Sequence, residues 1–237
     1  MRDFATLFDR LDGTTSTLAK VDAMAAHFRQ VEAADAAWAV FLLSGRRFKR
    51  LLAPSRLREW TIEASGLPAW LVEDSYAAVG DLAETVALLL GHPDADSPGD
   101  DDDRPLHRWI EDRVLPLRDL DEAEQQRRVV GWWRELPSRQ VFLLNKMLTG
   151  ALRVGVSQKL TIRAIAEVAQ LEPAVISHRL MGDWTPSADW WRDLLDPEHR
   201  DADVSRPYPF FLASPIEGDP SQLGAPDDWQ TEWKWDG

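Results

Sequence analysis

Residues 146–166 read KMLTGALRVGVSQKLTIRAIA, and this stretch places two glycines, Gly150 and Gly155, between two segments of helical periodicity. Gly150 is expected to end the first helix, and Ser157 is a typical N-cap residue for the second. The backbone N–H groups at the start of a helix have no partner within it and attract anions. The pattern therefore predicts two helices joined by a turn with anion-binding potential.

The residues around this turn add further donors to it. Arg153, Ser157 and Lys159 lie close to Gly155 in sequence, and a glycine lets a phosphate approach the backbone closely. One interpretation is a clamp that positions a DNA backbone without reading its bases. The other is an ordinary interhelical turn with exposed basic side chains. Spacing alone supports both interpretations equally.

The distribution of charge is uneven along the chain. The net charge is -13, which taken alone argues against a nucleic-acid partner. However, residues 44–60 and 138–163 each have a balance of +5, so the rest of the chain carries -23. The first of these segments contains the cluster Arg46, Arg47, Lys49 and Arg50. This segregation favours a phosphate-binding surface over two solvated helix faces.

Composition excludes several classes of protein. The 237 residues include no cysteine, which rules out disulfides and thiolate metal sites. We find no apolar run as long as a membrane span and no signal-peptide core at the N-terminus. We therefore predict a cytoplasmic protein without membrane contact. Twelve tryptophans are unusually many, and most are expected to lie in a core.

Helical periodicity runs through most of the first 204 residues and predicts a mainly α fold. We predict a helix over 17–34, a following helix capped by Asp35 and ended by Gly45, and one helix over 75–90. Residues 94–104 are expected to form an acidic loop. Periodicity is lost from Ser205, where prolines become frequent. This predicts a helical domain over 1–204 and a short, mostly extended β segment over 205–237.

Residues 160–180, LTIRAIAEVAQLEPAVISHRL, offer a rival interpretation as a helix-turn-helix of a regulator. Gln170 stands where such turns usually have glycine. Val175, Ile176 and Leu180 are expected in the core rather than in a DNA groove. Both observations count against the regulator.

The last residues, TEWKWDG over 231–237, alternate polar and aromatic side chains as a strand does. Glu232, Lys234 and Asp236 would then share one face. A lysine becomes nucleophilic when burial or a nearby cation lowers its pKa. Gly237 would let a ligand approach the backbone. The alternative is a chance tetrapeptide on an exposed tail.

These residues resemble a known family. EWKWDG is similar to the lysine motif of the covalent nucleotidyltransferases, which include ATP-dependent DNA ligases, RNA ligases and mRNA capping enzymes. KMLTGALRVGVSQKLTIRAIA resembles the helical DNA-binding domain that precedes the catalytic core in one branch of the DNA ligases. SYAAVGDLAETVALLL and PYPFFLASPIE resemble bacterial members of that branch. The resemblance covers nearly the whole chain, in the order that the ligases show.

The resemblance implies an ATP-dependent DNA ligase acting in repair or replication on nicked duplex DNA. We expect a monomer, although the sequence does not determine the oligomeric state. Lys234 would attack the α-phosphate of ATP and pass AMP to the 5′-phosphate of the nick, with Mg²⁺ present. Glu232 would lie near the adenine, with Asp236 and Gly237 in support. The duplex would be gripped by Arg153, Gly155, Ser157 and Lys159. A DNA contact is also predicted for Arg46, Arg47, Lys49 and Arg50, but that prediction depends mostly on their charge.

The later nucleotide-binding motifs of the family do not follow Gly237 in this sequence. The resemblance therefore implies an N-terminal portion of a ligase that neither ligates nor adenylates itself. The alternative from another class is a non-enzymatic DNA-binding module.

Overall fold

The computed structural model describes residues 1–46, 48, 51–90 and 104–198. This part of the chain is mainly helical, which confirms the predicted fold class for it. The proposed extended segment 205–237, the boundary near residue 204 and nearly all of the acidic loop lie outside the described residues. The α-helices of the described part are α1 (Arg2–Asp12), α2 (Thr17–Gln30), α3 (Ala33–Leu43), α4 (Pro54–Ser65), α5 (Ala69–Val79), α6 (Leu82–Leu90), α7 (Leu106–Trp109), α8 (Glu122–Glu135), α9 (Ser138–Thr149), α10 (Gln158–Ala169), α11 (Pro173–Arg179) and α12 (Ala188–Leu195).

One continuous hydrophobic core joins all of these helices except α5, whose buried residue Val72 is not part of it. The most extensive pairings are α2 with α10, α6 with α9 and α12 with α3. Helix α1 packs on both α2 and α9, and so connects the α2–α10 pair to the α6–α9 pair. A π turn (Ile110–Val114) and a 3-10 turn (Leu115–Asp119) continue α7. The α2–α10 pairing also supports the glycine-containing turn, because Lys20 of α2 donates to the Gly155 carbonyl.

Tryptophans supply much of the core, as their number suggests. Six of those described are buried, namely Trp38, Trp60, Trp109, Trp132, Trp133 and Trp191. Trp109 and Trp132 meet edge to face with ring centroids 5.9 Å apart. Trp184 and Trp190 are partly buried against the core, whereas Trp70 of α5 is exposed over 64% of its surface. The expectation that most of these residues are core residues is thus confirmed where the structure describes them.

The predicted cap at Asp35 is wrong. Helix α2 ends at Gln30, Glu32 occupies the N-cap of α3, and Asp35 lies buried in the first turn of α3. Its carboxylate instead accepts hydrogen bonds from the backbone N–H groups of Leu106 and His107, at 3.1 and 2.8 Å, and contacts the Nδ1 of His107 at 2.6 Å. Asp35 therefore caps the start of α7 across the fold.

The single helix predicted over 75–90 is also wrong, because Gly80 divides it into α5 and α6. Gly80 adopts φ of 78°, in the left-handed region that ends helices. The Asp81 carboxylate then accepts the N–H of Glu84 at 3.1 Å and caps α6. The glycine that ends α5 is followed directly by the aspartate that caps α6, so the local sequence causes the break.

The predictions around residue 150 are confirmed. Helix α9 ends at Gly150, which adopts φ of 68°, and Ser157 occupies the N-cap of α10. Pro137 stands at the N-cap of α9. Among the described residues, no helix combines the length and apolarity needed to cross a bilayer.

Candidate nucleic-acid interface

The segment between α9 and α10 is neither helix nor strand, and its side chains alternate between core and solvent. Leu152, Val154 and Val156 pack against the core. Arg153, Gly155 and Ser157 are exposed between them. The alternation holds although Gly155 adopts a left-handed backbone rather than a strand conformation. It presents three of the four residues predicted for this turn on one outward-facing edge.

The N-terminus of α10 completes this edge. The Ser157 carbonyl accepts the N–H groups of Leu160 and Thr161 at 3.0 and 3.2 Å. The Ser157 side chain makes no capping bond within the described residues, and both it and Lys159 are exposed. The first N–H groups of the helix, the Ser157 hydroxyl and two basic side chains are therefore available to an oxyanion at one place.

Lys20 of α2 supports the turn from beneath, and nothing in the sequence analysis pointed to it. Its Nζ donates to the Gly155 carbonyl at 3.0 Å, and the residue is only 8% exposed. Gly155 has φ of 61°, and a Cβ added there would lie 3.2 Å from the Lys20 Nζ. No local pattern could have identified this contact, because its two partners lie 135 positions apart in the sequence.

The basic segment 44–60 contacts the end of α9, next to the glycine-containing turn of the basic segment 138–163. The N–H groups of Leu51 and Leu52 both donate to the Leu148 carbonyl of α9, at 3.3 and 3.2 Å. The Phe48 carbonyl lies 3.9 Å from the position of a Cβ on Gly150. These bonds hold Leu51 and Leu52 beside the end of α9. The two basic segments therefore approach the same region.

Arg46, however, already has partners. Its guanidinium lies 4.5 Å from the ring centroid of Trp184 and donates to the Gly182 carbonyl. Trp184 stacks in turn on Trp190, with centroids 4.0 Å apart and planes 9° from parallel. Arg46 therefore fastens the α11–α12 turn to the end of α3. Arg47, Lys49 and Arg50 lie outside the described residues, so their proposed contacts stay predictions.

Ion pairs divide the other basic residues of the two segments into two groups. Arg56, Arg58, Arg139 and Lys146 each pair with a carboxylate, of Glu122, Glu73, Asp9 and Asp81 respectively. Arg153, Lys159 and Arg163 are exposed and have no carboxylate within ion-pair distance among the described residues. Arg163 follows Lys159 by one helical turn and lies on the same face. The uncompensated positive charge therefore lies at the turn and along the start of α10.

The helix-turn-helix interpretation finds little support in the geometry of α11. Gln170 does adopt the left-handed conformation that such turns use, with φ of 56°. Ile176 and Leu180 are buried as expected, whereas Val175 is 36% exposed, which corrects its assignment to the core. Arg179, the arginine of α11, is buried and donates to the carbonyls of Leu194 and Asp196. No arginine of α11 is therefore free to enter a groove.

The nucleotide-binding residues predicted at the tail, Glu232, Lys234, Asp236 and Gly237, lie outside the described residues. ATP and Mg²⁺ therefore stay predictions. Within the described ranges, no group of three or more His, Asp or Glu side chains is arranged to hold a metal ion.

A comparison with protein families gives an independent view of the chain. The family model described as DNA ligase N terminus matches residues 1–166, which is more than half of the sequence. The match spans α1 to α9, the exposed edge at 153–157 and most of α10. No curated protein matches the chain significantly. From the family match we conclude that this chain belongs to the DNA ligase N-terminal domain family.

Proposed function

We propose that this chain is the DNA-gripping N-terminal portion of an ATP-dependent DNA ligase that seals nicks in duplex DNA. The observation that best supports the proposal is the convergence of Arg153, Gly155, Ser157 and Lys159 on one exposed edge at the start of α10. Membership of the ligase family supplies the context, because its members act on DNA.

The edge suits a phosphate backbone better than base edges. Its donors are exposed backbone N–H groups, a hydroxyl and flexible cations, which are the groups that contact phosphates in protein–DNA complexes. No long helix projects from it into a major groove, since α10 packs along α2. We therefore expect binding that depends little on sequence and strongly on ionic strength.

Fluorescence anisotropy across a salt series tests this part of the proposal. The probes are a nicked duplex, an intact duplex of the same sequence and the matching single strand. Duplex affinity should fall linearly on a log–log plot as salt rises, because phosphate contacts release counterions. Absence of duplex binding at about 20 mM salt, where the electrostatic attraction is strongest, would contradict the proposal.

The chemical step is proposed for Lys234, whose amine would bond to the α-phosphorus of ATP as pyrophosphate leaves. In a protein that joins this chain to a ligase nucleotide-binding domain, label from α-labelled ATP should then appear on Lys234 and be lost in Lys234→Ala. The 237-residue chain alone should stay unlabelled. Label on the Lys234→Ala variant would show that another residue is the nucleophile.

A further inference from the structure

The buried ammonium of Lys20 contacts the glycine-containing turn at Gly155, whose backbone has a positive φ. Lys20 belongs to α2, and the sequence separates it from Gly155 by 135 positions. The 3.0 Å hydrogen bond from its Nζ to the Gly155 carbonyl connects α2 to the turn. The turn makes no backbone ladder of its own over 152–156 among the described residues. One side chain therefore fixes the orientation of the central peptide of the edge.

The geometry leaves the turn little freedom around this bond. The 3.2 Å separation between the Lys20 Nζ and a Cβ built on Gly155 is tighter than an ordinary van der Waals contact. The backbone at Gly155 also has a positive φ, which other L-residues adopt at a cost of about 1 kcal/mol or more. The lysine and the glycine thus fit each other, and the carbonyl of residue 155 points inward toward α2.

An inward carbonyl has a consequence for the opposite side of the turn. Fixing the Gly155 peptide also fixes the direction of the next N–H groups and the path into Ser157 and α10. The described residues place no carboxylate within ion-pair distance of the Lys20 ammonium. Its positive charge is therefore not neutralised locally and adds to the potential that a phosphate would meet.

We propose that Lys20 is a positioning residue for the DNA-binding edge, holding the Gly155 peptide so that the N-terminus of α10 and Arg153 face a phosphate. The inference rests on the proposed function for its relevance to DNA, but its structural half can be tested without DNA. It extends the interface to α2, which lies outside both basic segments of the sequence.

Hydrogen–deuterium exchange of the free protein tests the structural half. Lys20→Met keeps an unbranched side chain of similar length and removes the donor. The amides of Ala151, Leu160 and Thr161, whose hydrogen bonds flank the turn, should exchange about fivefold faster or more in this variant, because a loss of one hydrogen bond is worth about that factor in local opening. Exchange in α6 and α9 should stay as in the wild type. Unchanged exchange at these three amides in a folded variant would overturn the proposal.

Arg29→Met is the matched control. Arg29 also lies on α2 and also bonds to α10, through Glu167 at 2.9 Å, but this contact lies beyond the middle of α10. It removes one positive charge from the same helix, as Lys20→Met does. In Arg29→Met the amides of Ala151, Leu160 and Thr161 should exchange as in the wild type. Equal acceleration in both variants would mean that general loosening of the α2–α10 pair, rather than the Lys20 bond, controls the turn.

Binding of a nicked duplex then separates this proposal from the proposed function. If the wild type binds, Lys20→Met should weaken binding about fivefold or more while Arg29→Met changes it less than twofold. Wild-type binding with unchanged affinity in Lys20→Met would overturn the role of Lys20 and leave the DNA-binding function standing. No wild-type binding would contradict the proposed function, while the exchange data would still decide whether Lys20 holds the turn.

Discussion

The guanidinium of Arg46 lies over the indole ring of Trp184, 4.5 Å from its centroid, and donates to the Gly182 carbonyl. Arg46 was predicted from its charge as a DNA contact. In the folded chain it instead joins the end of α3 to the turn between α11 and α12. A side chain held on both sides in this way is better suited to stabilising the surface than to meeting a mobile phosphate.

Replacing Arg46 should therefore affect stability more than DNA binding. Arg46→Ala is expected to lower the free energy of unfolding by about 1–2 kcal/mol, through loss of the cation–π contact and one hydrogen bond. Arg46→Lys should recover little of this, because an ammonium cannot stack as a plane and donate at the same time. Urea unfolding measures both changes. Wild-type stability in Arg46→Ala, together with a large loss of DNA affinity, would restore the original interpretation.

Asp81 and Lys146 form an ion pair that joins the N-terminus of α6 to α9. Burial acts to raise the pKa of Asp81, but hydrogen bonds from Lys146 and from the Glu84 N–H, together with the charge of Lys146, lower it below 3.8 overall. Asp81→Asn should cost about 1–3 kcal/mol at neutral pH, since it leaves a mostly buried ammonium without its anion.

The sign of the pH dependence of this pair follows from the lowered pKa of Asp81. The stabilisation is present above the unfolded-state pKa of about 3.8 and is lost as the pH falls through the lower folded-state pKa. The gap between wild type and Asp81→Asn in urea titrations should therefore be constant from pH 7 to pH 5 and close at lower pH. A gap that opens as the pH falls would contradict this account.

His27 is buried between Phe4 and Phe28, with ring centroids 6.2 and 6.0 Å away. Burial lowers its pKa from 6.5 to about 4, against the smaller opposing effect of Asp3 and Asp35. The unfolded chain then binds a proton that the folded chain does not between these values. The contribution of His27 to the free energy of unfolding is complete above pH 6.5 and falls by roughly 3 kcal/mol as the pH drops to 4. His27→Phe should remove this component in urea unfolding at pH 7, 5.5 and 4.5. Parallel pH profiles for wild type and variant would exclude it.

Gln170 ends α10 in the left-handed conformation, with φ of 56° and ψ of 39°. This conformation costs a residue with a Cβ about 1 kcal/mol relative to glycine. Gln170→Gly should therefore raise the free energy of unfolding by about 0.5–1 kcal/mol. Gln126→Gly, in the middle of α8, is the matched control and should lower it by about 1 kcal/mol. Destabilisation in both variants would show that the Gln170 side chain compensates for its backbone.

Local signals allowed part of this structure to be predicted from the sequence. Gly150, Ser157 and the helices on either side follow from caps and periodicity that act within a few residues. The break at Gly80 was also readable, because a glycine followed by an aspartate is a helix end followed by a helix start. The prediction of one helix gave too much weight to apolar spacing across that pair.

Other features depend on partners distant in sequence. Asp35 looked like a cap for its own helix, but its carboxylate bonds to Leu106 and His107, more than 70 residues away. Arg46 looked like a free cation until Gly182 and Trp184 were placed beside it. Lys20 gave no signal of the Gly155 carbonyl that it meets. Sequence patterns could locate the edge at 153–159, but they could not show which cations the fold had already paired.

The most direct test of the central claim is the salt dependence of nicked-duplex binding by Arg153→Ala/Lys159→Ala, compared with Arg108→Ala/Arg127→Ala. Both double variants remove two exposed arginine or lysine charges, but Arg108 and Arg127 pair with acids on or beside their own helices, at Asp112 and Glu124. We predict that the first pair lowers affinity at least tenfold and reduces the slope of log K against log salt by about two. The control pair should keep the wild-type slope. Equal losses of affinity and slope in both double variants would contradict a DNA-binding edge centred on residues 153–159.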